Sequence, residues 1–310
     1  MESVEKVIEL AGVKKKFGER QALNGISLSV GRGNIFGYLG PNGAGKTTTI
    51  RILLDLLRAD TGVVEVLGSP ADHLETRRRI GFLLDADGLY DQLSAIENLE
   101  FYAALYGCKP RRQSIMKLLE SVGLADRAED RAGGYSKGMR RRLALARALV
   151  HDPELLILDE PMSGIDPSGQ MELRAIIKNL VKERGKTILF SSHDLDEVER
   201  LCNRIALIDK GEIRVAGELG QLLGTGNQGR IIISTSVPVE PTLLSEMERR
   251  LWLKVNGSGP EGLELSLPAG VGNADVVSFL AARGVGIEGV RAKHTSLEEL
   301  YAGILKEREA

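Results

Sequence analysis

The chain has 310 residues, 43% of them apolar, which is enough core material for one large domain or two smaller ones. A formal net charge of −2 and a pI near 6.2 exclude a globally basic nucleic-acid binder, and 4% aromatic residues leave few platforms for stacked single-stranded bases. Two cysteines, Cys108 and Cys202, with no close pairing point to a reducing compartment and no disulfide framework, while four scattered histidines give no metal-ligand spacing.

Strand-like alternation covers 4–13 and 26–36. In the second run Ile26, Leu28 and Val30 alternate with Ser27 and Ser29, as in a half-buried antiparallel strand. Phe17 falls between the two, on a loop within Lys16-Phe17-Gly18. Its ring serves either as a plug in a small core or as a flat face for a nucleobase.

Next come an apolar strand, Ile35 to Leu39, the octet Gly40-Pro41-Asn42-Gly43-Ala44-Gly45-Lys46-Thr47, and a helical pattern from Thr48 to Leu57. The octet reads G-x-x-x-x-G-K-[ST], the phosphate-cradling P-loop, in the strand-loop-helix setting the chemistry needs. Glycines let the backbone wrap closely around phosphate, and the helix start adds free N–H groups and a positive dipole end. Asn42, Gly43, Ala44, Gly45, Lys46, Thr47 and Thr48 are therefore the expected nucleotide contacts. Lys46 reaches for the β- and γ-phosphates, and the Thr47 hydroxyl for Mg²⁺.

Strands follow at 63–67 and 80–84, the latter ending in Asp85-Ala86-Asp87-Gly88. Strand ends of this kind, at one edge of a parallel sheet, are where ligands collect. Helical, charge-rich runs at 94–107 and 111–122 form a small helical insertion. Tyr135-Ser136-Lys137-Gly138-Met139 opens a long helix with Ser136 as N-cap, and Arg140, Arg141 and Arg142 are read as solvated, ion-pairing side chains.

Leu155 to Leu158 is a continuous apolar run closed by Asp159-Glu160, the pattern of a central parallel strand buried on both faces. In a P-loop protein such a strand is the Walker-B element, whose aspartate holds Mg²⁺. Glu160 either orients or deprotonates the attacking water, or caps the next segment. A further buried strand at 187–190 ends in Ser191-Ser192-His193-Asp194, which places His193 at the phosphate edge of the sheet. A hairpin at 204–215 closes the first domain near residue 217, and 221–229 reads as a linker. The second unit has strand-like pieces at 230–235, 251–255, 263–267 and 286–293 and helical pieces at 241–249, 273–283 and 296–307. It is an α+β appendage without a catalytic constellation.

Taken together, the P-loop, Ser136 to Gly138, Asp159-Glu160 and His193 closely resemble the ATP-binding cassette (ABC) ATPases over roughly residues 4–220. The resemblance implies a P-loop NTPase α/β fold: a parallel core sheet, an antiparallel β subdomain and a helical subdomain at about 88–150, all within 1–220, then a small α+β domain at 228–310. It implies ATP and Mg²⁺ as ligands. Thr47, Asp85 and Asp159 fall at the metal, Glu160 at the catalytic glutamate and His193 at the switch histidine. Phe17 matches the ring that stacks on adenine. Ser136 and Gly138 match the signature that closes over the ATP of a second cassette, and Ser163 to Asp166 the loop crossing the dimer interface. Position 85 usually carries glutamine, and Lys137 and Met139 replace the commonest signature residues. The Tyr-Ser-Lys-Gly-Met form and the ending Thr295 to Tyr301 resemble export-type cassettes.

No apolar leader opens the chain and no apolar run approaches a membrane span, so a membrane connection is expected through a partner. The expected protein is the ATP-hydrolysing subunit of an ABC exporter. It works as a homodimer or cassette heterodimer, is cytoplasmic and peripheral to the inner face of the cell membrane, and has no nucleic-acid partner. A multi-span permease would be engaged through the Asp85 loop and the helical subdomain. The alternatives are a soluble ABC-type ATPase of a regulatory, translation or repair complex, and a nucleotide-sensing binding module.

Overall fold

The computed structural model describes residues 5–225, 230–259, 262–268, 270–292 and 296–306. They fall into two compact units that divide after Leu219. In chain order the first unit contains β1 (Lys6–Phe17), β2 (Arg20–Gly31), β3 (Ile35–Leu39), α1 (Lys46–Leu53), β4 (Thr61–Val66), β5 (Ser69–Pro70), α2 (Leu74–Arg78) and β6 (Ile80–Leu83). It continues with α3 (Ala95–Leu105), α4 (Arg112–Ser121), α5 (Lys137–Leu149), β7 (Leu155–Asp159), α6 (Pro167–Arg184), β8 (Thr187–Ser192), α7 (Leu195–Leu201), β9 (Arg204–Asp209) and β10 (Glu212–Glu218).

Six strands, in the order β10-β9-β3-β8-β7-β6, form the core sheet. All neighbours are parallel except the β9–β10 hairpin. Every residue of β3, β7 and β8 is buried, as expected for strands covered on both faces. Their C-terminal ends release the P-loop, Asp159-Glu160 and Ser192-His193 at one edge. The antiparallel sheet, β2-β1-β4-β5, shares a core with the large sheet through Leu10, Leu23, Ile26, Phe36, Tyr38 and Ile50.

The helical insertion has its own core, with Ile96 and Leu99 of α3, Ile115 and Leu119 of α4, and Leu143 and Ala146 of α5. A capping box, Ser94 with Glu97, starts α3. Behind it Asn98 is fully buried and satisfied by the Tyr90 N–H and the carbonyls of Tyr90, Leu93 and Ser94, which fixes the segment leading in from Asp85.

Several sequence expectations are corrected here. Phe17 ends a strand, because β1 continues through the lysines that resemble a loop and pairs with β2 up to Phe17 and Arg20. The run at 26–36 is two strands, split by the turn at Arg32-Gly33. α1 stops at Leu53, short of Leu57, since Asp55 takes a left-handed conformation; Leu57 still packs on the core. Part of the expected linker is helix α8 (Leu219–Thr225), and its remainder, 226–229, lies outside the described residues.

The second unit runs β11 (Arg230–Thr235), α9 (Pro241–Leu251), β12 (Lys254–Gly259), β13 (Gly262–Ser266), α10 (Asn273–Ala281), β14 (Ile287–Ala292) and α11 (Leu297–Lys306). Its antiparallel sheet has the order β12-β13-β11-β14, the split β-α-β arrangement. Ile231, Ile233, Leu263 and Leu265 point to a core with Met247, Val276 and Leu280. The strand expected at 251–255 starts later, because Leu251 belongs to α9 and Trp252 ends that helix in a left-handed turn. Lys293 and Thr295, included in expectations for this unit, lie outside the described residues.

Candidate nucleotide site

The loop between β3 and α1 holds the conformation its glycines allow. Gly45 has φ 119°, and a side chain there would collide with Leu23 and the Ala22 carbonyl. A Cβ at Gly40 would lie 2.2 Å from the Ile208 carbonyl. Both positions press the loop against β2 and β9, so only glycine fits. Lys46 is almost fully buried. Its Nζ donates to the Gly40 carbonyl at 2.6 Å and lies 3.4 Å from Glu160 Oε1. A cavity of about 270 Å³ opens between this loop and the turn of the antiparallel sheet, lined by Phe17, Arg20, Gly43, Lys46, Thr47 and Thr48. Phe17 is half exposed at its outer end. Asn42 is exposed and Ala44 buried.

β7 delivers Asp159, nearly buried, to the inner side of the loop. Its Oδ2 accepts from Thr47 Oγ1 at 3.3 Å, and its Oδ1 accepts from Ser191 Oγ. A hydroxyl and a carboxylate at this separation are hard oxygen donors. Among the described residues no cluster of three or more His, Cys, Asp or Glu side chains stands here. That donor set fits Mg²⁺, which keeps waters and phosphate oxygens as its other ligands.

Glu160 has φ 47°, a left-handed conformation that is costly for a side chain of this size. Its N–H is held by both the carbonyl and the hydroxyl of Ser191, at 3.2 and 3.1 Å. The turn aims the carboxylate back at the loop: Oε2 lies 2.8 Å from His193 Nδ1, and Oε1 faces Lys46. His193 is itself set by Ser192, whose hydroxyl accepts the Asp194 N–H at 2.9 Å and donates to the buried Glu197 at 3.0 Å. Burial pushes the Glu197 carboxyl above its usual range, partly offset by the Ser192 hydrogen bond.

Lys46, Thr47, Asp159, Glu160 and His193 thus converge. Ser136 and Gly138 do not line this cavity. Ser136 Oγ caps α5 by accepting the Met139 N–H at 3.3 Å, and its side of the helix start is exposed. The Lys137 ammonium folds over Gly164, whose φ of 69° is a left-handed conformation that favours glycine.

Asp85, expected at the metal, is not brought to it. Its carboxylate is fully exposed, and the charge beside it is Arg141 at 3.8 Å. Arg141 corrects a second expectation. It is buried rather than solvated and donates to the Leu84 carbonyl at 2.9 Å, which leaves Asp85 facing outward. Burial lowers its pKa, while Asp85, Asp87 and Asp159 oppose that shift. Arg140 behaves as expected, bonding Asp87 at 2.8 Å and Asp91 at 2.6 Å. Burial pushes Asp87 up, but the Arg140 and Leu89 hydrogen bonds outweigh it and hold the carboxyl below its ordinary value. Sequence reasoning gave no role to Ser191 or Glu197 and did not single out Arg20, which reaches the loop at the Gly43 carbonyl. The signal for Ser191 was its place on the strand facing Asp159 in the parallel register.

A family profile described as ABC transporter matches residues 23–163. The chain is 46% identical over 210 residues to an uncharacterized ABC transporter ATP-binding protein of Nostoc sp., covering 66% of this chain but 62%, less than two thirds, of that relative's length. It is 34% identical over 307 residues to the linearmycin resistance ATP-binding protein LnrL of Bacillus subtilis, covering 96% of this chain and 98% of that one. Among solved structures, a dimeric ATP-binding cassette in a post-hydrolysis state with ADP and Pi aligns at TM-score 0.62 and 27% identity, over 68% of this chain and 98% of the other.

Proposed function

The chain belongs to the ABC transporter family of ATP-binding proteins, and from that premise we propose that it binds and hydrolyses ATP to power an export-type membrane transporter. The observation that carries the proposal is the convergence of Lys46, Thr47, Asp159, Glu160 and His193 at the ends of β3, β7 and β8.

The chemistry follows from positions. Phe17 offers its exposed face to adenine, and the P-loop N–H groups and Lys46 take the phosphates. Thr47 and Asp159 would hold Mg²⁺, which would supply positive charge to neutralise the phosphates. Glu160 orients the attacking water or accepts its proton, and His193, 2.8 Å away, fixes that carboxylate's direction. The strained Glu160 backbone, doubly tied to Ser191, keeps the carboxylate aimed before substrate arrives.

One chain carries one P-loop and one signature, and the two do not share a cavity. The working unit is therefore a homodimer or heterodimer of cassettes, with Ser136 and Gly138 of one copy closing over the ATP of the other. Binding closes the dimer and hydrolysis reopens it. Among the described residues no helix is long and apolar enough to cross a membrane. The motion passes to a multi-span permease through the exposed Asp85 loop and the helical subdomain, with this subunit peripheral to the cytoplasmic face. Resemblance to a resistance protein over nearly the whole chain favours export.

The test is ATP turnover by the purified chain and by Glu160→Gln. The variant is expected to keep ATP binding and lose roughly a hundredfold or more in turnover. Unchanged hydrolysis removes Glu160 from its role. Capture of a multi-span protein from a detergent extract checks the transport half of the proposal, and its absence counts against it.

A further inference from the structure

Arg20 is the first residue of β2 and pairs with Phe17 across the two-residue turn of the β1–β2 ribbon. Its side chain crosses the mouth of the nucleotide cavity to the P-loop, where Nη2 lies 3.4 Å from the Gly43 carbonyl. A Cβ at Gly43 would stand 3.3 Å from the same nitrogen, so the guanidinium rests against the loop itself. Lys15, on the same ribbon, is neutralised by Asp60 at 2.7 Å. Arg20 has no carboxylate partner among the described residues and meets only a carbonyl at the long end of hydrogen-bond range.

A guanidinium held over a phosphate loop without a counter-ion is a site for an anion. Its place along the cavity decides which one. Phe17 marks the outer, base end, and Lys46, bonded to Gly40, marks the inner, terminal-phosphate end. Arg20 reaches Gly43, between the two. We infer that Arg20 is a further nucleotide-binding residue, donating to the α-phosphate of the bound nucleotide and bracing the β1–β2 turn against the P-loop once that phosphate is in place. The inference rests on the ATP-binding function proposed above and names a contact outside the P-loop motif. It also gives the ribbon a reason to meet the loop: the turn carrying the adenine-facing ring carries a phosphate ligand as well. ATP and ADP both possess the α-phosphate, so the contact does not distinguish substrate from product.

Calorimetric titration of ADP, and of ATP under non-turnover conditions, onto the full chain and onto Arg20→Ala and Arg20→Lys tests this. Arg20→Ala is expected to weaken ADP and ATP by the same factor, roughly tenfold for a charge-assisted bond near solvent. KM for ATP rises by that factor while kcat holds, because nothing is lost at the γ-phosphate. Arg20→Lys recovers part of the affinity, and the ADP affinity of Arg20→Ala falls less steeply with salt. An unchanged ADP affinity overturns the inference. So does a loss confined to ATP, which would place Arg20 on the terminal phosphate. If the unmodified chain binds neither nucleotide, the ATP-binding function itself fails, an outcome distinct from both. Unfolding midpoints of the two variants, expected to match the parent, separate a local contact from a folding defect.

Discussion

The strand-end site and the Asp85–Ser136 face make opposite use of charge. At the strand ends Lys46, Asp159 and Ser191 are buried and tied to one another through Thr47 and Glu160, so the reacting groups are positioned before ligand binds. On the other face Asp85 stands in solvent and Ser136 is exposed, although the backbone beneath them is fixed by Arg141, Arg140 and Asn98. In the first region the positioning contacts all lie within one chain. The second has a rigid base and open side chains, as the proposed contact with a second copy requires. Substitutions should therefore separate the two, with stability and activity falling together in the first and activity falling far more than stability in the second.

The largest effect is expected at Asp159. Asp159→Asn keeps a side chain of the same shape but removes the charge that Thr47 and Ser191 address. ATP turnover should fall roughly a hundredfold or more, as for loss of a preorganised electrostatic group. ATP affinity should also lose its dependence on Mg²⁺, which titration with and without chelator will report. A turnover within a few fold of the parent would remove Asp159 from the metal role.

Ser191→Ala comes next and probes the shared interior. It strips one hydrogen bond from a buried carboxylate and one of two acceptors from the strained Glu160 N–H. A loss of about 1.5–3 kcal/mol in unfolding free energy is expected, together with a fall in turnover. Urea denaturation and steady-state hydrolysis measure the two. Turnover lost with no change in stability would show that this region is not the locked interior described above.

Ser136→Ala reverses the balance. As an exposed N-cap it should cost about 1 kcal/mol or less in stability. Turnover should drop about tenfold, the share of one charge-assisted contact to a phosphate. An active variant would break the comparison, since the exposed face would then owe nothing to a second copy.

What the sequence made legible follows the same division. The P-loop, Asp159-Glu160 and Ser136 to Gly138 are contiguous motifs whose local chemistry is complete in a few residues, and the structure places each at a strand end or helix start. Ser191, Arg141 and Arg20 acquire meaning only from partners far along the chain, Asp159, Leu84 and Gly43, so no local pattern announced them. The arginine run misled for a related reason. Three identical side chains in a helix look equivalent, yet helical rotation buries the middle one and leaves Arg140 to pair with Asp87. The boundary errors at Asp55 and Trp252 come from left-handed residues that hydrophobic periodicity does not register.

The smallest effect lies outside both regions and calibrates them. Glu154, just before β7, accepts from Arg79 at 2.6 Å and from Arg32 at 3.0 Å. The Arg79 hydrogen bond, joined by that of Arg32 and by both charges, outweighs burial and holds its carboxyl at about 2 instead of the ordinary 4.5. Because the folded-state value is depressed, the stabilisation is complete above the unfolded value of 4.5 and is lost as pH falls from there toward about 2. The carboxylate is 38% exposed, so solvent screening cuts the full linkage value to about 1 kcal/mol or less. Glu154→Gln should accordingly be less stable than the parent by that amount near neutral pH, and the gap should close on acidification through this window. Urea midpoints of both proteins across the range measure it. A gap that stays constant with pH would mean that packing, rather than charge, ties this corner together. Turnover near neutral pH should barely change, because none of Glu154's partners lines the nucleotide cavity.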